Sequence, residues 1–340
     1  MSFSIPFLKK KGIQDLVAID LSSEGTRCVK MRGNPDSIQI IAADTLPPVN
    51  LSEDSKAPNS ELNIPKNLIA KYVAIAIPSE TAVIKLLNLP KQIDEDNADA
   101  LLRENLGLEE GDYRIGHVQV GKGHSRTETK VVAAAVDNSL ARIACELFPV
   151  GIPAPASVEV SGLASLTAFA YRAAKSISDK AVGVIDFRAN TTFLAFFLNS
   201  EPILIRKFDF GTRAIMDKVG TDLGVDEETA RNILADESFD ISQSIKAISD
   251  PFVKQITISR HFVERREDTS LAAFFVAEEP LVSRIWFKEL RAELGLDVTP
   301  WDPFMSLEMA PNALSEEQET KKATYAAAIG AGIGLIKGST

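Results

Sequence analysis

Two aspartates end apolar runs in the same way. Asp20 closes Leu16-Val17-Ala18-Ile19, and Asp186 closes Val182-Gly183-Val184-Ile185. A short polar turn follows each, and a threonine, Thr26 or Thr192, stands six residues on, where a second strand-like segment opens. A carboxylate at a strand end beside hydroxyl groups has the chemistry to hold a hydrated divalent cation and the oxygens of a phosphate. The same pattern also suits an ordinary hairpin, because Asp bonds its neighbouring backbone in tight turns. Two copies in register point to two domains of similar build.

The elements that must position these turns alternate between strand and helix. Before the midpoint, strands are expected at Leu16–Ile19, Thr26–Met31, Ser37–Ala42, Tyr72–Pro78 and Ala82–Pro90. A helix follows from Asp94 to Gly107 with Ala98, Leu101, Leu102 and Leu106 as its apolar stripe. Tyr113–Val120 and Thr129–Val136 read as paired strands, and Asn138–Phe148 and Ser161–Lys175 as helices. A Ser/Asp/Lys-rich joint, Ser176–Lys180, is the expected boundary between lobes. After it come the Asp186 hairpin, a strand at Ile203–Phe210, and a helix from Thr212. Next are an acidic helix at Leu223–Asp236, a long helix at Pro251–Arg266, a strand at Ala272–Ala277 and a helix at Pro280–Leu294. The Ala/Gly-rich Lys322–Leu335 is expected to pack as a buried helix against the second sheet. Such alternation gives an α/β fold with helices on sheet faces and ligands at strand ends.

Composition bounds the function. The chain has 340 residues, 45% of them hydrophobic, enough for two domains with cores. Its 37 basic and 47 acidic residues give a formal net charge of −10, which argues against a nucleic-acid binder. Cys28 and Cys145 are the only cysteines and read as buried thiols of a reducing compartment. No secretory signal or bilayer-length apolar run is visible, so a cytoplasmic protein is expected. Met1–Leu8 is apolar and is followed by Lys9-Lys10-Lys11, a combination suited to an acidic membrane surface or to a loose N-terminus. His117, His124 and His261 form no HExxH or CxxC-linked zinc set. Neither a GxSxG elbow nor a GxxxxGK[ST] loop occurs.

The two Asp hairpins and the order of the remaining pieces resemble the actin-like ATPase superfamily, and more closely the type IV pilus assembly protein PilM family, itself similar to FtsA. The resemblance is carried by Val17-Ala18-Ile19-Asp20, by Tyr72–Pro78 with Ala82–Pro90 and the Asp94 helix, and by Val131-Val132-Ala133-Ala134-Ala135. It continues through Val184-Ile185-Asp186 and Trp301-Asp302-Pro303 to the Ala/Gly-rich end. It implies a two-lobed actin-like α/β fold with a small α+β subdomain inserted in the first lobe. The first lobe would be 1–71 and 156–178, the insert 72–155, the second lobe 179–225 and 270–340, and its helical subdomain 226–269. The implied cofactor is Mg-ATP, with the magnesium held through water by Asp20 and Asp186. The family's nucleotide positions fall on Asp20, Ser22, Ser23, Thr26, Asp186, Arg188, Asn190, Thr191 and Thr192. The implied partners are the N-terminal cytoplasmic tail of an inner-membrane PilN-like protein and other pilus assembly proteins. Self-association stays open, and the protein would be peripheral at the inner membrane. Leu89, Leu102 and Tyr113 are the expected anchors for the tail.

Two positions that are glycine in the family are Ser22 and Arg188 here, and Ala277-Glu278-Glu279-Pro280 replaces a glycine-rich turn. A serine hydroxyl still donates to an oxygen, whereas an arginine fills the space a phosphate needs. Acidic side chains in the third turn repel a polyanion. The guanidinium of Arg188 is expected to pair with Asp20 or Glu279. Two functions stay open: a scaffold with weak or lost nucleotide binding, and an ATPase whose nucleotide state controls partner binding or polymerisation.

Overall fold

The computed structural model describes residues 5–6, 12–22, 25–51, 61–91, 95–123, 125–176, 180–236, 239–278, 283–305 and 307–338. The chain forms two compact units, Met1–Ser176 with Asp302–Thr340, and Ile177–Trp301.

Unit 1 opens with β1 (Ile5–Pro6), β2 (Asp15–Ser22), β3 (Gly25–Asn34), β4 (Ser37–Leu46) and β5 (Tyr72–Ile77). An insert follows: β6 (Val83–Pro90), α1 (Glu95–Leu106), β7 (Tyr113–Lys122), β8 (Glu128–Asp137) and α2 (Asn138–Glu146). β9 (Ala154–Val160) and α3 (Ser161–Ser176) complete this passage. Unit 2 contains β10 (Ala181–Phe187), β11 (Thr192–Leu198), β12 (Glu201–Phe208), α4 (Thr212–Leu223), α5 (Glu227–Ala235) and α6 (Ser242–Arg266). It ends with β13 (Leu271–Glu278), α7 (Ser283–Leu294) and β14 (Val298–Pro300). The chain then returns to unit 1 as β15 (Glu308–Met309), α8 (Glu316–Thr320), a 3₁₀ turn at Lys322–Tyr325 and α9 (Ala326–Gly338).

The sheet of unit 1 has the order β1-β9-β5-β2-β3-β4-β15, and that of unit 2 β12-β11-β10-β13-β14. Both contain one topology. Three strands run as an antiparallel meander, β2-β3-β4 or β10-β11-β12. A fourth, β5 or β13, pairs parallel with the first, and a fifth, β9 or β14, pairs parallel with the fourth. The first strands carry apolar runs, Leu16–Ile19 and Ala181–Ile185, that are buried throughout, as strands covered on both faces require. Each hairpin Asp stands at the C-terminal end of such a strand.

The insert is a separate small sheet, β6-β8-β7. Its core is Leu89, Leu102, Leu106, Val131, Ala133 and Ala135. It is narrower than the expected 72–155. Tyr72–Ile77 is a strand of the main sheet, paired with both β2 and β9, and Ala154 and Pro155 already belong to β9. The residues of β5 after Tyr72 are buried throughout, which is what a central strand needs.

The last helix also corrects the sequence expectation. α9 packs on α3 and on β2, β3 and β5 of unit 1, not on the second sheet, so 302–340 belongs with the first unit. Its glycines explain how close it lies. A Cβ at Gly330 would stand 1.6 Å from the carbonyl oxygen of Ala164 in α3, and one at Gly332 would meet Met31 and Ala18. The helix is buried all round between α3 and the sheet. Its uniform apolarity matches either sheet, so pattern alone does not assign it.

In unit 2, α4, α5, α6 and α7 share one core with the sheet. Phe187 stacks on Trp286 with ring centroids 4.2 Å apart, and Phe252 stacks on Phe210. α5 is capped by Asp226, whose side chain accepts the Thr229 N–H. No helix among the described residues is long and apolar enough to cross a membrane. Cys28 is buried, and burial pushes its thiol pKa up, so it is inert. Cys145 is half-buried rather than buried as expected.

Candidate functional site

Each unit ties the carboxylate at the end of its first strand to a different kind of group. In unit 1 Asp20, 1% exposed, accepts a 2.5 Å hydrogen bond from the hydroxyl of Ser161, the first residue of α3. The next N–H of α3, that of Gly162, donates to the Ser79 hydroxyl at 3.1 Å. The N-terminus of α3 is thereby fastened to the ends of β2 and β5. Thr26, fully buried, donates its hydroxyl to the carbonyl of Pro47 at 3.0 Å. Ser22 ends β2, and its side chain and Ser23 lie outside the described residues.

In unit 2 Asp186, 2% exposed, accepts a 2.6 Å hydrogen bond from Nε of Arg188, forming an ion pair that is mostly buried. Arg188 therefore pairs with its own near neighbour, Asp186; Glu279, one of the two expected partners, lies outside the described residues. Residues two apart near a strand end project to the same side, which gives the guanidinium a shorter reach to Asp186 than to any distant carboxylate. The turn itself is closed by the Arg188 N–H donating to the Thr191 carbonyl at 3.1 Å. Asn190 is half-buried, and Thr191 and Thr192 are buried. The Thr192 hydroxyl donates to the Phe210 carbonyl at 2.6 Å, matching what Thr26 does in unit 1.

Residues that sequence reasoning missed complete this turn. The N–H groups of Thr212 and Arg213, the first of α4, donate to the carbonyls of Arg188 and Ala189 at 2.9 Å each. Gly211 makes the approach possible, since a Cβ there would fall 2.2 Å from the Arg188 oxygen and 2.4 Å from that of Ala189. The signal available in sequence was Phe210-Gly211-Thr212, a glycine directly before a helix start. A helix N-terminus is a ready anion site when its leading N–H groups are free; here two of them serve the turn.

Mg-ATP does not fit this donor set in unit 2. A guanidinium bonds one oxygen of the carboxylate that would take a cation's water, and the first two N–H groups of α4 are already used. Among the described residues no group of three or more His, Cys, Asp or Glu side chains is placed to hold a metal. In unit 1 the Asp20 carboxylate accepts from the Ser161 hydroxyl, a neutral donor.

Of the three expected tail anchors, Leu89 and Leu102 are buried in the core of the insert, 2% and 4% exposed, and so hold the insert together. Their burial leaves little surface for a tail. Tyr113 is half-buried on that core and opens β7, an edge strand.

The repeated five-strand topology and the paired Asp turns define an actin-like fold. Within that class the chain superposes on a chain of the solved PilM-PilN type IV pilus biogenesis complex with a TM-score of 0.76. The match covers 94% of this chain and 98% of that one at 16% sequence identity. The likeness establishes the fold as that of a PilM-like actin-like protein. Two more distant structures are a protein with actin-like ATPase fold and unknown function from Bacteroides thetaiotaomicron and the ethanolamine utilization protein EutJ from Carboxydothermus hydrogenoformans. The first has a TM-score of 0.46 and 12% identity, covering 85% of this chain and 91% of that one. The second has 0.43 and 12%, covering 95% and 89%. No protein-family model and no curated protein matches the chain by sequence.

Proposed function

We propose that this chain is a PilM-like scaffold of a type IV pilus or type II secretion-like machine. In this function it binds the N-terminal cytoplasmic tail of an inner-membrane PilN-like protein and works without ATP. It sits in the cytoplasm, held at the inner membrane by that partner, beside other pilus assembly proteins. The observation that supports this most is the end-to-end likeness to a chain of the PilM-PilN complex. The ion pair of Arg188 with Asp186 supports the second half, because it fills a turn that a nucleotide-binding relative needs open.

The tail, short, apolar and basic, is assigned to the side of the insert that carries Tyr113. Association is steered by the net charge of −10. Fluorescence anisotropy with a labelled PilN-like tail peptide tests this. Binding in the micromolar range is expected, weakened about tenfold by Tyr113→Ala, a loss of about 1.4 kcal/mol. A chain that binds no tail overturns the assignment. Binding that appears only with Mg-ATP supports the ATPase instead.

A further inference from the structure

Two loops of unit 1 lie side by side at the end of the sheet where β2, β5 and β9 begin. Residues 64–71 lead into β5, and residues 147–153 lead into β9. The Ala154 N–H donates to the Lys71 carbonyl at 3.0 Å and ties the end of one loop to the end of the other. Each loop is anchored from inside, by Leu68 and Ala70 in the first and by Leu147 and Phe148 in the second. What the loops present outward is apolar. Ile69 is 39% exposed, Ile152 61% and Val150 109%, so Val150 stands on a protruding tip and lines no groove. Basic side chains surround these three. Lys66 and Lys71 are exposed on the first loop, and Lys30 reaches it from β3, its Nζ donating to the Ile69 carbonyl at 2.8 Å. Arg32 stands nearby on β3 but pairs with Asp15.

We propose that this loop pair is a lipid-contact site of the chain's own, fitted to an anionic membrane surface. Val150 and Ile152 enter the boundary between headgroups and acyl chains, while Lys30, Lys66 and Lys71 meet lipid phosphates. A protruding apolar tip suits lipid better than a folded partner, because lipid yields around the tip whereas a protein needs a matching hollow. Lysine stems lie along such tips and keep their ammonium groups among the headgroups. The net charge of −10 does not forbid the contact. At physiological ionic strength the screening length is about 8 Å, so the charges next to the lipid decide. Neither half is enough alone: two aliphatic side chains or three lysines give marginal binding, and together they supply an apolar and an electrostatic signal at one spot. The site goes beyond attachment through a partner, because it also orients unit 1. Asp20 stands toward the far end of β2, so docking through the loops turns the Asp20 hairpin away from the bilayer.

The probe is a vesicle of equimolar phosphatidylglycerol and phosphatidylcholine, co-sedimented with the full chain, and a pure phosphatidylcholine vesicle is the neutral control. Wild type is expected to prefer the anionic vesicle and to release it as salt rises from about 0.01 to about 0.15 M. Lys66→Ala with Lys71→Ala is expected to bind it about thirtyfold more weakly, about fivefold for each charge removed. Val150→Ser with Ile152→Ser is expected to lose about tenfold. All four side chains are exposed, so the fold survives these changes. Val150→Trp locates the contact. Trp286 and Trp301 are 1% and 2% exposed, so a blue shift of emission on adding anionic vesicles reports the new tip. No binding by wild type, equal binding to both vesicles, unchanged binding by either paired variant, or no blue shift overturns the proposal. So does a loss confined to a chain with Lys9, Lys10 and Lys11 changed to alanine, which would put the contact on the N-terminus. Paired variants that keep lipid binding but lose a PilN-like tail peptide would give the loops to a protein instead.

Discussion

The Asp20 turn and the Asp186 turn occupy equivalent places in two units of one topology, yet they are finished differently. Both aspartates are buried at the end of the first strand, and both units lock the second strand with a threonine hydroxyl on a carbonyl just past the third. The difference is the group on the carboxylate. Unit 1 uses a serine hydroxyl, small, neutral and exchangeable for water. Unit 2 uses a guanidinium, and it also spends the first N–H groups of α4 on its own turn. The scaffold common to both turns fixes where a carboxylate sits, and in unit 2 the residue two positions later supplies a cation to it.

Unit 1 also buries an acid outside its Asp turn, which gives the largest expected effect. Glu159 in β9 is fully buried and neither carboxyl oxygen has a hydrogen-bond partner; α9 clears it only because position 334 is glycine. Burial alone holds its pKa well above the ordinary range of a glutamate. A folded-state value above the unfolded one means the unfolded chain releases the proton first. Stability from this group is therefore complete below the unfolded value and declines as pH rises toward the folded one, by up to about 1.4 kcal/mol per pH unit. Urea melts of wild type and Glu159→Gln across pH 4 to 9 are expected to diverge in that direction, the variant gaining relative to wild type as pH rises. Parallel curves would mean that Glu159 is ionised in the fold.

Next in size is the contrast between the partners themselves. Arg188→Ala leaves Asp186 buried without its cation and is expected to cost about 3–5 kcal/mol. Ser161→Ala removes one neutral donor from Asp20 and is expected to cost about 1–2 kcal/mol. Chemical denaturation of both variants measures the difference. Equal losses would erase the distinction between a charged and a neutral closure.

How much of this was legible in sequence depends on the range of each contact. Asp20 and Asp186 announced their hairpins because an apolar run, an Asp and a Thr lie within a few residues of one another. Fold analogy points Arg188 toward Asp20 or Glu279, whereas the carboxylate that it pairs with, Asp186, stands two residues away and needs no analogy to be found. Ser161 carried no signal at all: it meets Asp20 only because β9 ends beside β2 with β5 between them. The position of α9 was invisible for the same reason. An Ala/Gly-rich helix states that it packs closely, and only the crossing with Ala164 states against what. Sequence adjacency gives Tyr72–Ile77 to the insert, while the burial of its residues after Tyr72 marks a central strand.

The smallest effect should be the one the two units share. Thr26→Val and Thr192→Val each remove a buried hydroxyl from a carbonyl and are expected to cost about 1 kcal/mol each. Matched melting shifts would show that this part of the turn is structural in both units. A much larger loss at one of them would show that the equivalence is only topological.

The closure of the Asp186 turn is tested most directly by calorimetric titration of Mg-ATP into wild type and into Arg188→Gly. Wild type is expected to bind in the millimolar range or not at all, and the variant, if it remains folded by circular dichroism, to bind more tightly because the guanidinium no longer fills the turn. Micromolar binding by wild type that disappears in the variant would contradict the account, because Arg188 would then be gripping the phosphate rather than excluding it.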